Sequence, residues 1–246
     1  MNRRGFIAGL VAASSASAFA QTSSSSPAPS SPAPLIYYAG QAGRLTSDRD
    51  RQGGNPFASA LVQVIAERPL TLETFTRRMA EANAIHSRGW QQLDYPRRLP
   101  APKLRLDAKG GKRIALVLIN SDYSQSDAYS LPGAAVDAKR VPEALSGAGF
   151  ETTVVLNKTV DEARAALDEF GARSAEADVA AIYIGGHGVQ HGRNVYWLMG
   201  NFPAKDAKWL PTHAIAVEEI ARAGRAKALN MVLYASCRDD PFSEAS

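Results

Sequence analysis

Through the second half of the chain, short apolar runs alternate with segments whose apolar positions recur every three or four residues. Ile114–Ile119, Thr152–Leu156, Val179–Ile184 and Leu229–Tyr234 have the length and continuous apolarity of buried strands. Between them, Ala134 to about Leu145 reads as a helix ended by Gly147 and Gly149, and Pro142 is expected to kink it or shift its start. Thr159-Val160-Asp161-Glu162 is a capping box, and Ala163, Ala166, Leu167 and Phe170 give the helix behind it one apolar stripe. A hairpin is expected around Gly192-Arg193-Asn194, between Val189 and Met199. A further helix is expected over Ala216 to Ala223, with Gly224 placed to end it. Strands and helices alternating over short links predict an α/β fold, a mostly parallel sheet with helices on both faces.

The first half carries fewer elements. Leu35–Ala39 is a short strand ended by Gly40. Beyond a polar loop, Asn55-Pro56 reads as an N-cap with proline in the first turn, ahead of a helix with the stripe Leu61, Val62 and Ile65. Thr71 starts a second helix in which Leu72, Phe75 and Met79 recur at helical spacing. Residues 96–112 are rich in Pro, Arg, Lys and Gly and lack periodicity, so they read as a joining loop whose basic residues form a solvated face.

Two of the strands end on chemistry. The run Leu229–Tyr234 breaks off at Cys237, the only cysteine of the chain, and the run Val179–Ile184 breaks off at Gly185-Gly186-His187-Gly188. In open α/β sheets the crevice beyond the carboxyl ends of the strands is where ligands bind. A thiol needs a base or a cation beside it to become a thiolate, and an imidazole serves. Glycines flanking His187 let backbone N–H groups approach a substrate carbonyl, as an oxyanion hole requires. On residue types alone, Cys237 also reads as a small inert hydrophobe and His187 as a turn residue.

Longer segments carry a resemblance. Tyr183-Ile184-Gly185-Gly186-His187-Gly188-Val189-Gln190 and Tyr234-Ala235-Ser236-Cys237-Arg238-Asp239-Asp240-Pro241-Phe242 resemble the histidine and cysteine segments of bacterial caspase-like and metacaspase-like cysteine proteases. Arg113–Asn120 resembles the opening strand of that family, and Gly133-Ala134-Ala135-Val136-Asp137-Ala138 resembles its following helix start. Leu35–Gly43, Ser47-Asp48 and Asn55–Leu61 resemble a segment that in the family follows the cysteine; here it comes first. The resemblance therefore implies a caspase-like three-layer sandwich that is circularly permuted. A small-subunit-like half (35–95) would precede the joining loop (96–112) and a large-subunit-like half (113–246) carrying the dyad.

The activity implied is endopeptidase hydrolysis. Cys237 attacks the peptide carbonyl, His187 protonates the leaving amine, and the N–H groups of Gly188 and Cys237 hold the oxyanion. No third orienting residue is expected. In metacaspase-like relatives two carboxylates bind a P1 Arg or Lys. One matches Asp137, while the other falls on Ala235, so basic P1 selectivity is expected only in weakened form. Asp137 reads equally as an ordinary acid of a first helical turn. Asp239 and Asp240 lie just beyond the nucleophile, and Tyr38 and Trp197 read as core. With the cysteine so near the end, the usual cutting site between the halves is missing, and the Arg97–Arg113 loop is the expected alternative. A catalytically silent module that binds peptides or partners, and a cysteine hydrolase acting on a non-peptide bond, stay open. A dinucleotide enzyme is disfavoured because Asn120-Ser121-Asp122-Tyr123 carries no glycine fingerprint.

Composition adds compartment and partners. Met1 to Ala20 has paired arginines (Arg3-Arg4), a short apolar run and Ala18-Phe19-Ala20, which reads as a twin-arginine-like export signal removed after Ala20. Residues 21–34, nearly all Ser, Pro and Ala, read as a linker. A periplasmic or secreted bacterial protein is expected, with no membrane span once the signal is removed. Of the 246 residues 45% are hydrophobic, enough for one substantial core, and the net charge of +4 points to no nucleic-acid surface. One cysteine allows no internal disulfide. The expected partner is a peptide or protein substrate, the expected state a monomer. No cofactor is expected, and a calcium requirement is not predicted.

Overall fold

The computed structural model describes residues 31–242, except 109, 127, 204 and 205. The expected signal and most of the expected linker lie outside the described residues. In chain order the elements are β1 (Leu35–Tyr38), α1 (Pro56–Ile65), α2 (Leu72–His86), β2 (Arg113–Ile119), α3 (Pro132–Gly147), β3 (Glu151–Leu156) and α4 (Val160–Ser174). There follow β4 (Val179–Gly185), β5 (Gly188–His191), β6 (Asn194–Leu198), α5 (Leu210–His213), β7 (Ala214–Ala216), α6 (Val217–Ala221) and β8 (Leu229–Tyr234). Five strands form one sheet in the order β1-β8-β4-β2-β3, and every neighbouring pair is parallel. The hairpin expected around Gly192 is present as β5 and β6, extended by β7 into a small antiparallel sheet.

Register explains why the strands read as continuous apolar runs. Leu116, Ile182, Val232 and Ile36 stand side by side across β2, β4, β8 and β1, and all four face the core beneath α4 and α6. The next row, Val117, Tyr183, Leu233 and Tyr37, faces the opposite core beneath α1, α2 and α3. Every residue of β4 and β8 is buried, because helices cover both faces. This is a mixed α/β fold with a parallel central sheet, as the pattern of elements predicts.

Local chemistry sets the helix starts. Asn55 accepts from the Phe57 amide at 2.8 Å and Thr71 from the Thr74 amide at 3.1 Å, while Thr159 and Glu162 close a complete capping box. Two boundaries differ from expectation. Helix α3 begins at Pro132 and runs through Pro142, so that proline neither ends it nor delays its start. The helix expected over Ala216 to Ala223 is only the five residues of α6: Ala216 pairs with β6 as a strand instead, and the helix ends at its cap, Arg222. Among the described residues no helix is long and apolar enough to cross a membrane.

Candidate active site

The carboxyl ends of β4 and β8 are neighbours: Ile184 pairs with Tyr234, and the Ala235 amide donates to the Ile184 carbonyl at 2.8 Å. Two residues past β4 comes His187, and three past β8 comes Cys237. Both line one cavity of about 430 Å³, together with Gly188 and Asp137. The structure thus brings all four sequence-predicted site residues to one place.

The histidine is held from three sides. Gly186 turns the chain at φ 135°, and a Cβ there would stand 2.8 Å from the Asn120 carbonyl and from the Tyr123 hydroxyl. That hydroxyl accepts from the His187 amide at 2.7 Å and donates to the Leu198 carbonyl at 3.1 Å, while the Tyr123 ring meets the imidazole edge-on at 4.4 Å. The imidazole Nε2 lies 2.8 Å from the Tyr129 carbonyl oxygen. A carbonyl only accepts, so Nε2 carries a proton and, in the neutral ring, Nδ1 is the nitrogen with the lone pair, the form that can take a proton from a thiol.

The thiol is held by the other half of the chain. Cys237 Sγ lies 3.2 Å from the Thr46 amide and 3.4 Å from the Thr46 hydroxyl. Burial pushes the Cys237 thiol up from its ordinary range, while the two Thr46 contacts oppose the shift by favouring the thiolate. Arg238 fixes the Thr46 loop beside it. Its backbone exchanges hydrogen bonds with Gly43 (2.9 Å) and Arg44 (3.0 Å), and its guanidinium stacks 3.9 Å above the Tyr38 ring. The same guanidinium pairs with Asp94 at 2.6 Å and reaches Gln190 at 3.2 Å. Asn55 adds another tie, since its side-chain amide donates to the carbonyls of Ser47 and Ala235.

Asp137 lies on the cavity wall, 1% exposed and already engaged. Its carboxylate accepts from Arg140 at 2.7 Å and from the Asn55 amide at 3.1 Å. Burial outweighs these partners and pushes its pKa up to about 7. The folded chain therefore binds that proton more tightly than the unfolded one. The resulting stability is full below the ordinary carboxylate range and is lost as pH rises through about 7. Asp137→Asn is expected to remove this part of the slope, so that melting temperature against pH runs flatter between about 4 and about 7 than in wild type. An unchanged slope would place the proton elsewhere.

Tyr123, the Tyr129 carbonyl, Thr46 and Arg238 escaped sequence reasoning. Asp239 lines the cavity, half-buried, its carboxyl raised by burial and eased by the nearby His187. Trp197 is core, its indole N–H donating to the Gly185 carbonyl at 2.9 Å, and Tyr38 is the platform under Arg238. Among the described residues no group of three or more His, Cys, Asp or Glu could hold a metal ion.

The family model described as the caspase domain matches residues 112–245, more than half of the chain. The chain belongs to the caspase-domain family. It is thereby placed among cysteine peptidases, whose substrates are peptides or proteins. No curated protein matches the chain. The match covers β2 to β8 with His187 and Cys237, and leaves out the residues before 112 that supply β1, Thr46 and Asn55.

Proposed function

We propose that this caspase-domain protein is an exported bacterial cysteine endopeptidase, circularly permuted, in which Cys237 is the nucleophile and His187 the acid–base. One observation carries the reading. Neighbouring parallel strands deliver a thiol and an imidazole to one cavity, and the Tyr129 carbonyl fixes the tautomer that leaves Nδ1 able to accept a proton. The thiol proton passes to His187 as Sγ adds to the scissile carbonyl. The N–H groups of Gly188 and Cys237 hold the oxyanion, and the imidazolium returns the proton to the departing amine. Water then hydrolyses the thioester. At the mouth, Leu45 and Trp90 are 55% and 61% exposed and offer apolar surface to the residues preceding the cut.

Permutation is supported by β1, which lies parallel against the cysteine strand on the sheet edge, although almost the whole chain separates them. The Cys237 thiol is served by Thr46 from that same half, so the segment ahead of residue 112 is part of the working domain. The Arg3-Arg4 signal pattern supports export.

The joining loop is the proposed maturation site. Leu93 and Leu106 are buried anchors, and Arg97 and Arg98 between them are exposed. Incubation of the purified protein is expected to yield a fragment starting at Leu99, read by intact mass and terminal sequencing. Arg97→Gln/Arg98→Gln should stay uncut and inactive; a fully active uncut chain would exclude the idea.

The test of function is turnover of a P1-scanned fluorogenic peptide library beside Cys237→Ala. The buried, raised thiol and Ala235 favour a second reading, a silent peptide-binding module, and absence of turnover by wild type would select it.

A further inference from the structure

The cavity touches two separate parts of the apolar interior. One wall includes Ala134, Tyr183 and Ala235, members of the core beneath α1, α2 and α3, with the carboxylates of Asp48 and Asp137 beside them. Another includes Val189, Leu198, Phe202 and Phe242, which pack together in a small cluster of their own. The two clusters share no member, and His187 and Cys237, which belong to neither, line the same cavity. A peptide laid over the dyad therefore meets two surfaces of different chemistry.

Sheet register builds the second wall. On β6 the side chains alternate: Val195 and Trp197 enter the core beneath α4 and α6, while Tyr196 and Leu198 join the small cluster with Val189, which stands opposite Tyr196 on β5. The segment after Cys237 folds back along β5, where the Asp239 carbonyl accepts from the Gln190 amide at 2.8 Å. Two residues on, the Phe242 amide donates to the Asp240 carboxylate at 3.1 Å, and its ring meets His191 edge-on at 5.6 Å and lies 6.3 Å from Phe202. Asp239 is the charged neighbour of this wall, half-buried, and burial raises its carboxyl toward the neutral form. The wall is thus preformed, and its apolar face gains by being covered with an apolar side chain.

Its position gives the side chain's place in the substrate. The Leu198 amide donates to the His187 carbonyl at 3.0 Å, and Val189 follows His187 by two residues, so this wall adjoins the imidazole. The imidazole protonates the departing amine, and the residue that carries that amine must lie on the imidazole's side. The Thr46 loop, tied to Cys237 and through Asn55 to Ala235, serves the other side.

We infer that Val189, Leu198, Phe202 and Phe242 form a specificity-determining subsite for a bulky apolar side chain immediately after the cut, the P1′ residue. The inference rests on the peptidase reading above for the direction of the bound chain. The maturation cut proposed in the joining loop, before Leu99, supplies such a side chain.

The experiment compares kcat/KM on internally quenched peptides that differ only in carrying Leu or Gly at P1′. Wild type is expected to favour leucine by about tenfold or more, and Phe202→Ala and Phe242→Ala each to lower that ratio by about threefold or more. Phe242 is half-buried at the edge of the cluster, so its variant decides the matter if Phe202→Ala fails to fold. A wild-type ratio near one, or a ratio unchanged in the folded variants, overturns the inference while leaving the peptidase reading intact. Should wild type cleave neither peptide, that reading fails and the wall is judged by binding. Leu-Ala amide titrated calorimetrically into the full chain should then bind about tenfold more tightly than Gly-Ala amide, with the difference lost in Phe242→Ala. Equal affinity, or no binding of either, overturns the inference.

Discussion

Cys237→Ala is expected to lower kcat/KM by about 10^4-fold or more on any peptide the wild type cleaves, and His187→Ala by a comparable factor. On the proposed mechanism the two residues act as one unit, because neither a thiol without its base nor a base without its thiol forms the acyl-enzyme. The double variant should therefore lose no more than either single one, and a multiplicative loss would mean that they act separately. With one cysteine in the chain, iodoacetamide reports on Cys237 alone. Burial raises this thiol and the Thr46 contacts oppose the shift; on the proposed mechanism His187 is the further group that favours the thiolate at neutral pH. His187→Ala should slow alkylation and shift its pH midpoint upward. Equal alkylation of wild type and His187→Ala would show that the imidazole does not serve the thiol.

How much of this was open to sequence reading depends on the reach of each interaction. Strands β4 and β8 are legible because burial on both faces leaves a nearly continuous apolar run, broken in β8 only by Asn230, and both end just before the two candidate residues, His187 and Cys237. The caps at Asn55, Thr71 and Thr159 were legible because they act within three residues. The contact between Thr46 and Cys237 spans 191 positions and runs partly through a backbone amide, which no side-chain pattern announces. The Tyr129 carbonyl on His187 is invisible for the same reason. One omission was avoidable. Asp137 and Arg140 are three apart on one helix, a spacing that puts an acid and a base on the same face, and it foretells that the carboxylate is engaged before any substrate arrives.

Besides the β1–β8 pairing and the core that α1 and α2 share with α3, the polar ties between the first segment and the rest converge on Cys237. Arg238 joins the Tyr38 ring, Asp94 and the 43–44 backbone on one side to Gln190 on the other, while Asn55 reaches Ala235. Cys237 sits between these ties, so its placement depends on the segment that precedes the caspase-domain match as much as on the match itself. The segment matched by the family model supplies Cys237, the proposed nucleophile, and the first segment supplies the surface against which it is held.

Packing makes one further variant severe. Gly188→Ala places a methyl group into the Tyr234 hydroxyl and 2.9 Å from Ser236 Cβ. Tyr234 is fully buried and cannot swing aside into solvent. Its hydroxyl hydrogen is shared between the carbonyls of Tyr196 at 2.8 Å and Cys237 at 3.2 Å, so displacing the ring releases the backbone of Cys237 itself. Overpacking of this kind costs about 1–3 kcal/mol and a melting temperature lower by a few degrees. A displacement of about 1 Å at the reacting atoms costs about 100-fold in rate, so kcat should fall by that order. Gly147→Ala, at a helical glycine with open space around it, is the control and should leave both quantities near wild type. Combining Gly188→Ala with Tyr234→Phe separates the two effects. Removing the hydroxyl lifts the worst overlap but leaves the ring carbon 2.8 Å and Ser236 Cβ 2.9 Å from the methyl, so it should recover only part of the melting temperature. It also leaves the Cys237 carbonyl without its donor, so kcat should stay low. Recovery of both together would show that the hydroxyl is only an obstacle to the methyl and plays no part in placing Cys237.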